Sequence, residues 1–268
     1  MLTKIIKDLM KYFLITLLIM ASLLYGCGRF ENSPYGADAY STQLNEQAVR
    51  QILAIPINKT SYKVAFISDT HNYYDEMEKL VNKINKGNYA FVIHAGDITN
   101  FGLNREFQTS LKILRKLKVP FITTAGNHDF LSHGDIIYRR IFGSPSYSFE
   151  FFGIQFIMMN NNNWESAEAG EAHEWLENEL KSSKASRFII TAHVPPFDSA
   201  RYNKEEVQRW KDIIAPYDVP YFFGGHDHNE VIIPFGNTTH VTIGSTVKKY
   251  YSEITITPTG VSHKKIHF

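Results

Sequence analysis

A single cysteine, Cys27, stands in the 268 residues. One thiol cannot close an intrachain disulfide, and it excludes a metal site built from several thiolates. Charge of one sign is missing as well. The formal net charge is +1, which gives no electrostatic reason to expect nucleic acid as a partner. Heptad arrays, internal repeats and low-complexity tracts are absent, and the run Asn160-Asn161-Asn162-Asn163 is short enough to be a loop. The apolar run from Tyr12 to Tyr25 is shorter than the about 20 residues a membrane span needs. With 44% hydrophobic and 21% charged residues, the composition is that of a globular chain with a real core.

The N-terminus has an order of its own. Lys4, Lys7 and Lys11 precede the apolar run, which ends at Gly26-Cys27-Gly28. A basic region, a short apolar region and small residues describe an export signal. Residues 1–26 are therefore expected to be an export signal or a membrane anchor, and either reading places the basic end in the cytoplasm and the rest outside. Leu23-Leu24-Tyr25-Gly26-Cys27 resembles the lipobox of bacterial lipoproteins, in which the cysteine is lipidated and becomes the mature N-terminus. That resemblance implies an exported chain tethered to the membrane through Cys27. Without residues 1–26 the chain keeps 25 basic and 26 acidic residues, close to neutrality. Residues 27–60 read as the attachment cysteine and a tether, polar and punctuated by Pro34 and Gly36. A short helix is expected from Leu44 to Ile55, where Leu44, Ala48, Ile52 and Ile55 share a face and Pro56 ends it. The main domain is expected over 61–268.

From Tyr62 short apolar runs alternate with amphipathic stretches. Val64–Ile67, Ala90–Ile93, Phe121–Thr124, Phe188–Ile190 and Tyr221–Phe223 read as buried strands. Between them, helical spacing marks Met77-Leu80-Val81-Ile84, Phe107-Leu111-Leu114-Leu117, Ile136–Phe142, Glu171–Leu180 and Val207-Trp210-Ile213-Ile214. Tyr147–Phe151 and Ile154–Met159 flank Phe152-Gly153, a hairpin signal. The tail from Val231 to Phe268 lacks helical spacing and reads as consecutive antiparallel strands. Apolar strands separated by helices indicate sheets covered on both faces, here two packed sheets with helices outside them.

Five polar clusters each follow an apolar run. They are Ser68-Asp69-Thr70-His71, Gly96-Asp97-Ile98-Thr99-Asn100, Gly126-Asn127-His128-Asp129, Ala192-His193-Val194-Pro195 and Gly225-His226-Asp227-His228. The glycine before Asn127 would let the backbone turn sharply at a strand end. Ligands of open α/β sheets collect beyond the carboxyl ends of the strands, so the clusters should converge on one edge. Together they offer several imidazoles and two or three carboxylates with no thiolate, a set suited to borderline divalent metals such as Mn, Fe or Zn. Seven ligating groups are too many for one tetrahedral ion. They suit two ions sharing a carboxylate at the roughly 3.5–4 Å spacing of two-metal hydrolases.

Asp69-x-His71, Gly96-Asp97, Gly126-Asn127-His128-Asp129, His193 and Gly225-His226-x-His228, in this order, resemble the calcineurin-like metallophosphoesterases. The resemblance implies a four-layer α/β/β/α sandwich, with two mixed sheets flanked by helices, and a binuclear metal centre. By position it implies that Asp69, His71 and His228 hold one metal and Asn127, His193 and His226 the other. Asp97 would bridge them. His128 would face the phosphate and protonate the leaving group, a role an alkoxide leaving group requires in any case. Asn100 lies near enough to orient His128 or a substrate oxygen.

Within the family, the serine/threonine phosphatases and dinucleoside tetraphosphate hydrolases carry Asp-Arg-Gly after the bridging aspartate. Here the chain reads Asp97-Ile98-Thr99-Asn100-Phe101-Gly102. The run to Arg105-Glu106-Phe107 and the Trp175-Leu176-Glu177 stretch resemble instead the members acting on cyclic nucleotides and glycerophosphodiesters. The expected substrate is a small phosphoester, and export favours lipid-derived diesters, nucleotides or envelope phosphates. Trp164, Arg201 and Tyr202 lie in loops beside the motifs as candidate substrate contacts. His94, His173, His240, His263 and His267 match no motif, and packing is the expectation for each. Two alternatives stand beside this reading: a nuclease of the same family, disfavoured by neutral charge, and a metal-binding scaffold without turnover.

Overall fold

The computed structural model of the chain describes residues 2–26 and 43–268. The first described element is a helix, α1 (Leu2–Gly26), whose large apolar side chains from Ile6 to Met20 are exposed. Among the described residues, no helix is long and apolar enough to cross a membrane. Cys27 and the stretch expected to be its tether, up to residue 42, lie outside the described residues.

The body begins with α2 (Leu44–Leu53), β1 (Tyr62–Ile67), α3 (Tyr74–Ile84), β2 (Phe91–His94), α4 (Asn104–Leu114), β3 (Phe121–Thr123) and α5 (Gly134–Phe142). It continues with the hairpin β4 (Tyr147–Phe151) and β5 (Ile154–Met159), then α6 (Ala172–Ser182), β6 (Arg187–Ala192), α7 (Lys204–Ile214) and β7 (Asp218–Gly224). Four strands close it: β8 (Val231–Phe235), β9 (Thr238–Thr242), β10 (Tyr250–Thr257) and β11 (Gly260–His267).

The strands form two mixed sheets, in the order β11-β10-β1-β2-β3 and β4-β5-β6-β7-β9-β8. Period-two alternation along each strand builds the layers. Val64 and Phe66 of β1 join Phe91, Phe156, Met158 and Phe223 in the core between the sheets, where Phe66 stacks on Phe223 at 4.0 Å. Ala65 and Ile67 point the other way, onto Met77, Leu80 and Val81 of α3. On the far side, Ile190 and Phe222 meet Leu176 and Leu180 of α6 and Trp210 of α7. The result is the expected four-layer sandwich.

Two expectations change. The tail is not one run of antiparallel strands. β8 and β9 pair with each other, with β9 parallel to β7, whereas β10 and β11 cross to the first sheet, where β10 lies antiparallel to β1. The 3-10 turn Thr246–Lys248, with Lys249 in the left-handed region at φ 61°, makes the crossing. The short helix assigned to the 27–60 tether belongs to the folded body. Ala48 and Ile52 of α2 are buried in the main core, and Asn45 bonds both the N–H and the C=O of Thr123 at 2.9 Å. That pair of bonds continues the ladder at β3, an edge strand whose polar groups would otherwise be open.

Candidate metal centre

β1, β2 and β3 run parallel, as do β6 and β7. Their carboxyl ends deliver Asp69 and His71, Asp97, Asn127, His193, and His226 and His228 respectively. Contacts between the loops bring the two sheets' contributions together. The His193 ring bonds Ala95 O at 2.8 Å, and the His226 N–H reaches both oxygens of Asp69 at 3.1 and 3.2 Å. The Ser245 hydroxyl, after β9, donates to Asp69 O at 2.8 Å. Asp69 and Asp97 do not cap helices.

The backbone is bent to make this possible. Nine described non-glycine residues have positive φ, and Asp69, Asp97, His71, His226 and His228 are five of them, at φ 42° to 76°. Each such residue costs of order 1–2 kcal/mol in a conformation that only glycine adopts freely. Strain concentrated on candidate ligands indicates that side-chain direction, not backbone comfort, decided these positions. Glycine is needed next to them for a different reason than the sequence suggested. Gly126 has no positive φ, but a Cβ there would lie 2.1 Å from Asp97 Oδ1. At Gly225 a Cβ would lie 2.0 Å from Ser68 Oγ and 2.6 Å from Asp69 Oδ2.

Asp69, His71, Asp97 and His228 offer ligand atoms that all lie within 4.8 Å of one another. His71 Nδ1 bonds the carbonyl of Thr99 at 3.0 Å, so that nitrogen carries the proton. Nε2 of the neutral ring then carries a lone pair. It points at His228 Nε2, 3.1 Å away, and at Asp97 Oδ2, 3.6 Å away. His228 Nε2 lies 3.5 Å from Asp69 Oδ1.

The other three residues lie beside Asp97 or against one another. His193 Nδ1–H is committed to Ala95 O, leaving Nε2 3.2 Å from Asp97 Oδ2. Both of those atoms are buried and neither makes a hydrogen bond. His226 Nδ1 faces Asn127 Oδ1 at 2.9 Å. Asp97 Oδ2 and His193 Nε2, electron-rich, buried and without a hydrogen bond, call for a cation between them. The residues fit a divalent cation on this ground, and Asp97 Oδ2 faces both His71 and His193.

Titration follows from the same crowding. Burial pushes the Asp69 carboxyl up to about 7, with the Asp97 charge adding and His193 opposing. Burial alone would raise Asp97 too, but His193, His71 and His128 outweigh it and hold it well below the usual carboxylate range. Burial would lower His193, yet the Asp97 charge brings it up to about 9. Burial lowers His71 and His226, each to about 4. A proton on His193 therefore answers the Asp97 charge in the metal-free protein, and metal would replace that proton.

His128 sits against two of the candidate ligands, Asp97 and His71. Its N–H donates to Asp97 Oδ1 at 2.9 Å and its ring Nδ1–H to Asn100 O at 2.7 Å. That bond leaves Nε2 uncommitted to Asn100. Asn100 thus orients His128 through its main chain, not its amide. The ring packs edge-on against His71, centroids 4.9 Å apart.

Sequence reasoning missed three supports. Asp129, fully buried, accepts from Ile98 N, Thr99 N, the Thr99 hydroxyl and Gly126 N at 2.9 to 3.2 Å, pinning the Asp97 loop to the Asn127 loop. The asparagine run is a brace. Asn161 bonds the N–H and C=O of Val194, and Asn162 bonds Ala125 O. His94, buried, donates from Nε2 to Thr70 Oγ1 and accepts from Gly96 N. Its only visible signal was its place just before a cluster. Tyr202 is no surface contact; it is buried with its hydroxyl on Asn161 O. His173, against Trp210 at 3.9 Å, and the buried His240 pack as expected.

A probable cyclic nucleotide phosphodiesterase of Coxiella burnetii is 26% identical over 72% of this chain and 88% of its own length. A glycerophosphodiester phosphodiesterase of Enterobacter lignolyticus is 24% identical over 69% of this chain and 77% of its own. Among solved structures, a dimetal phosphatase from Danio rerio superposes with a TM-score of 0.62 at 15% identity, covering 77% of this chain and 96% of that one. The family model described as calcineurin-like phosphoesterase matches residues 62–230, the span that carries all seven candidate ligands and His128. The chain is a member of the calcineurin-like phosphoesterase family, and so a hydrolase of phosphoester bonds.

Proposed function

We propose that the protein hydrolyses small phosphodiesters by the two-metal route. Asp69, His71 and His228 would hold one divalent ion and Asn127, His193 and His226 the other, with Asp97 shared. The observation that carries this reading is Asp97 Oδ2, buried, without a hydrogen bond, and facing His71 Nε2 at 3.6 Å and His193 Nε2 at 3.2 Å. Bound ions of the Mn, Fe or Zn type would supply an acidified water as nucleophile and neutralise phosphoryl oxygens. The chain's own residues do the rest. Asp97 Oδ1 fixes the His128 main chain, and Asn100 O fixes the His128 ring with its proton on Nδ1. A second proton, on Nε2, is then the one His128 gives to the departing alkoxide. Thr99 O and Ala95 O set the tautomers of His71 and His193 so that both present lone pairs.

The site is read as working outside the cytoplasm, on a chain exported by residues 1–26 and held to the membrane by lipid on Cys27. The support is the order of basic, apolar and small residues there.

The test uses the full chain in detergent, reloaded with Mn. Cleavage of bis-p-nitrophenyl phosphate is compared with that of p-nitrophenyl phosphate, and His128→Ala serves as control. Diester cleavage reduced about 10²- to 10⁴-fold in the variant, with metal content unchanged, is the expected result. Full activity in His128→Ala would refute the assigned proton donor, and preference for the monoester would refute the diester assignment.

A further inference from the structure

Only two aromatic side chains of residues 43–268 are exposed, Phe101 and Trp164, and Trp164 is the more open at 65%. A single exposed indole is ordinary on a protein surface; the way this one is held is not. Arg201 lies over the ring with its guanidinium carbon 4.3 Å from the centroid. Arg201 is itself buried and forks onto Glu165 through two bonds, of 2.6 and 3.0 Å. Its carbonyl accepts from the Asn163 amide at 3.0 Å. The residues on either side of Trp164 are therefore both tied to Arg201, and so is its ring. A buried ion pair adds little net stability, but it fixes geometry. The indole is immobilised, with one face on a cation and its surface otherwise largely open.

Its position is set by the metal-ligand loops. Asn162, two residues before Trp164, bonds Ala125 O, just ahead of Gly126-Asn127. Asn161 clamps Val194, next to His193. Arg201 closes a turn onto Asp198 O, and the Asp198 carboxylate lies 3.4 Å from His226 Nε2. The loops carrying Asn127, His193 and His226 thus all reach the segment that presents Trp164. A rigid flat ring on a segment braced by three of the ligand loops matches a planar group on the substrate, and stacking gains little from a flexible glycerol or ethanolamine.

We infer that Trp164, backed by Arg201, is the platform on which the base of a nucleotide phosphodiester stacks, so that this site takes nucleotides over glycerol-based diesters. The inference rests on the phosphodiesterase reading above. Trp164→Ala and Trp164→Phe in the Mn-loaded full chain test it, with adenosine cyclic monophosphate and glycerophosphoethanolamine as substrates. The expected result is a KM for the cyclic nucleotide raised about tenfold in the alanine variant, largely restored by phenylalanine. Glycerophosphoethanolamine kinetics should be unchanged. Equal effects on both substrates, or none on either, overturn the inference. A second readout needs no turnover. Adenosine monophosphate should quench tryptophan fluorescence saturably in the wild type and leave Trp164→Phe unquenched, although Trp175 and Trp210 remain. Quenching that persists in Trp164→Phe, or is absent from the wild type, also overturns it. Should the wild type cleave neither these substrates nor bis-p-nitrophenyl phosphate, the phosphodiesterase reading fails, and the quenching alone decides on the platform.

Discussion

Asp129→Asn removes one charge and replaces one oxygen with an NH2 in a pocket lined by donors. Oδ2 accepts from Ile98 N and Gly126 N; Oδ1 accepts from Thr99 N and the Thr99 hydroxyl. An amide turned toward Ile98 and Gly126 would strand two backbone N–H groups. Turned toward Thr99, it strands one, because the hydroxyl can rotate to donate to His128 O, 3.4 Å away, and accept from the new amide. The second orientation is therefore the one adopted. One stranded N–H costs about 1–3 kcal/mol, and the surviving bonds lose the assistance of a charge. Against this, burial and the nearby Asp97 push the Asp129 carboxyl up to about 6, so at pH 8 the neutral amide escapes a folding penalty of about 3 kcal/mol. The two effects nearly cancel, and with an m-value near 3 kcal/mol per M the urea midpoint should move by less than about 0.5 M. Because this carboxylate pins the Asp97 loop to the Asn127 loop, metal affinity should drop by about 10- to 100-fold, as for other outer supports of metal ligands. Equal metal affinity in the two proteins would show that Asp129 pins nothing.

Three further outcomes are expected. Asp97→Asn should lower metal content and activity together, measured by elemental analysis and diester turnover; retention of full metal content would dissociate Asp97 from the centre. Cys27→Ser should release the protein from membranes on fractionation without changing its turnover, whereas continued sedimentation would exclude the lipid tether. His240 is held to about 3 by burial alone, below the usual value near 6.5. The unfolded chain takes the proton first, so the stability His240 contributes is intact above pH 6.5 and is lost as pH falls toward 3, by about 1.4 kcal/mol per pH unit. His240→Leu should flatten urea midpoints between pH 6.5 and 4; an unchanged slope would place the acid sensitivity elsewhere.

What could be read ahead of the structure were the features that sequence-local physics controls. The hairpin of β4 and β5 has its expected ends because apolar residues stop at Phe152-Gly153, both at positive φ. The ligand clusters were visible because each interrupts an apolar strand with side chains that have no packing use. Asp129 was not, since an aspartate six residues after a strand looks the same whether it meets water or four donors, three of them 30 to 31 residues away. Asn45 was equally opaque: its role as a surrogate strand depends on Thr123, 78 residues on. The division of the tail between two sheets was hidden for a related reason. Strand pairing partners leave no mark within a strand, and β9 and β10 are both short strands rich in threonine.

The crossing of β10 to the first sheet has a consequence for how the chain is made. β1, which carries Asp69 and His71, is the central strand of that sheet, and one of its two neighbours is β10. Tyr62 pairs with Ile256, near the end of the sequence. Every candidate ligand has left the ribosome once His228 has, yet β1 still lacks a flank. Pairing across so long a loop is slow and comes late in folding. A nascent or truncated chain that stops before Tyr250 therefore carries the full set of metal-binding side chains with no framework to aim them, and completion of the centre waits on the last hairpin.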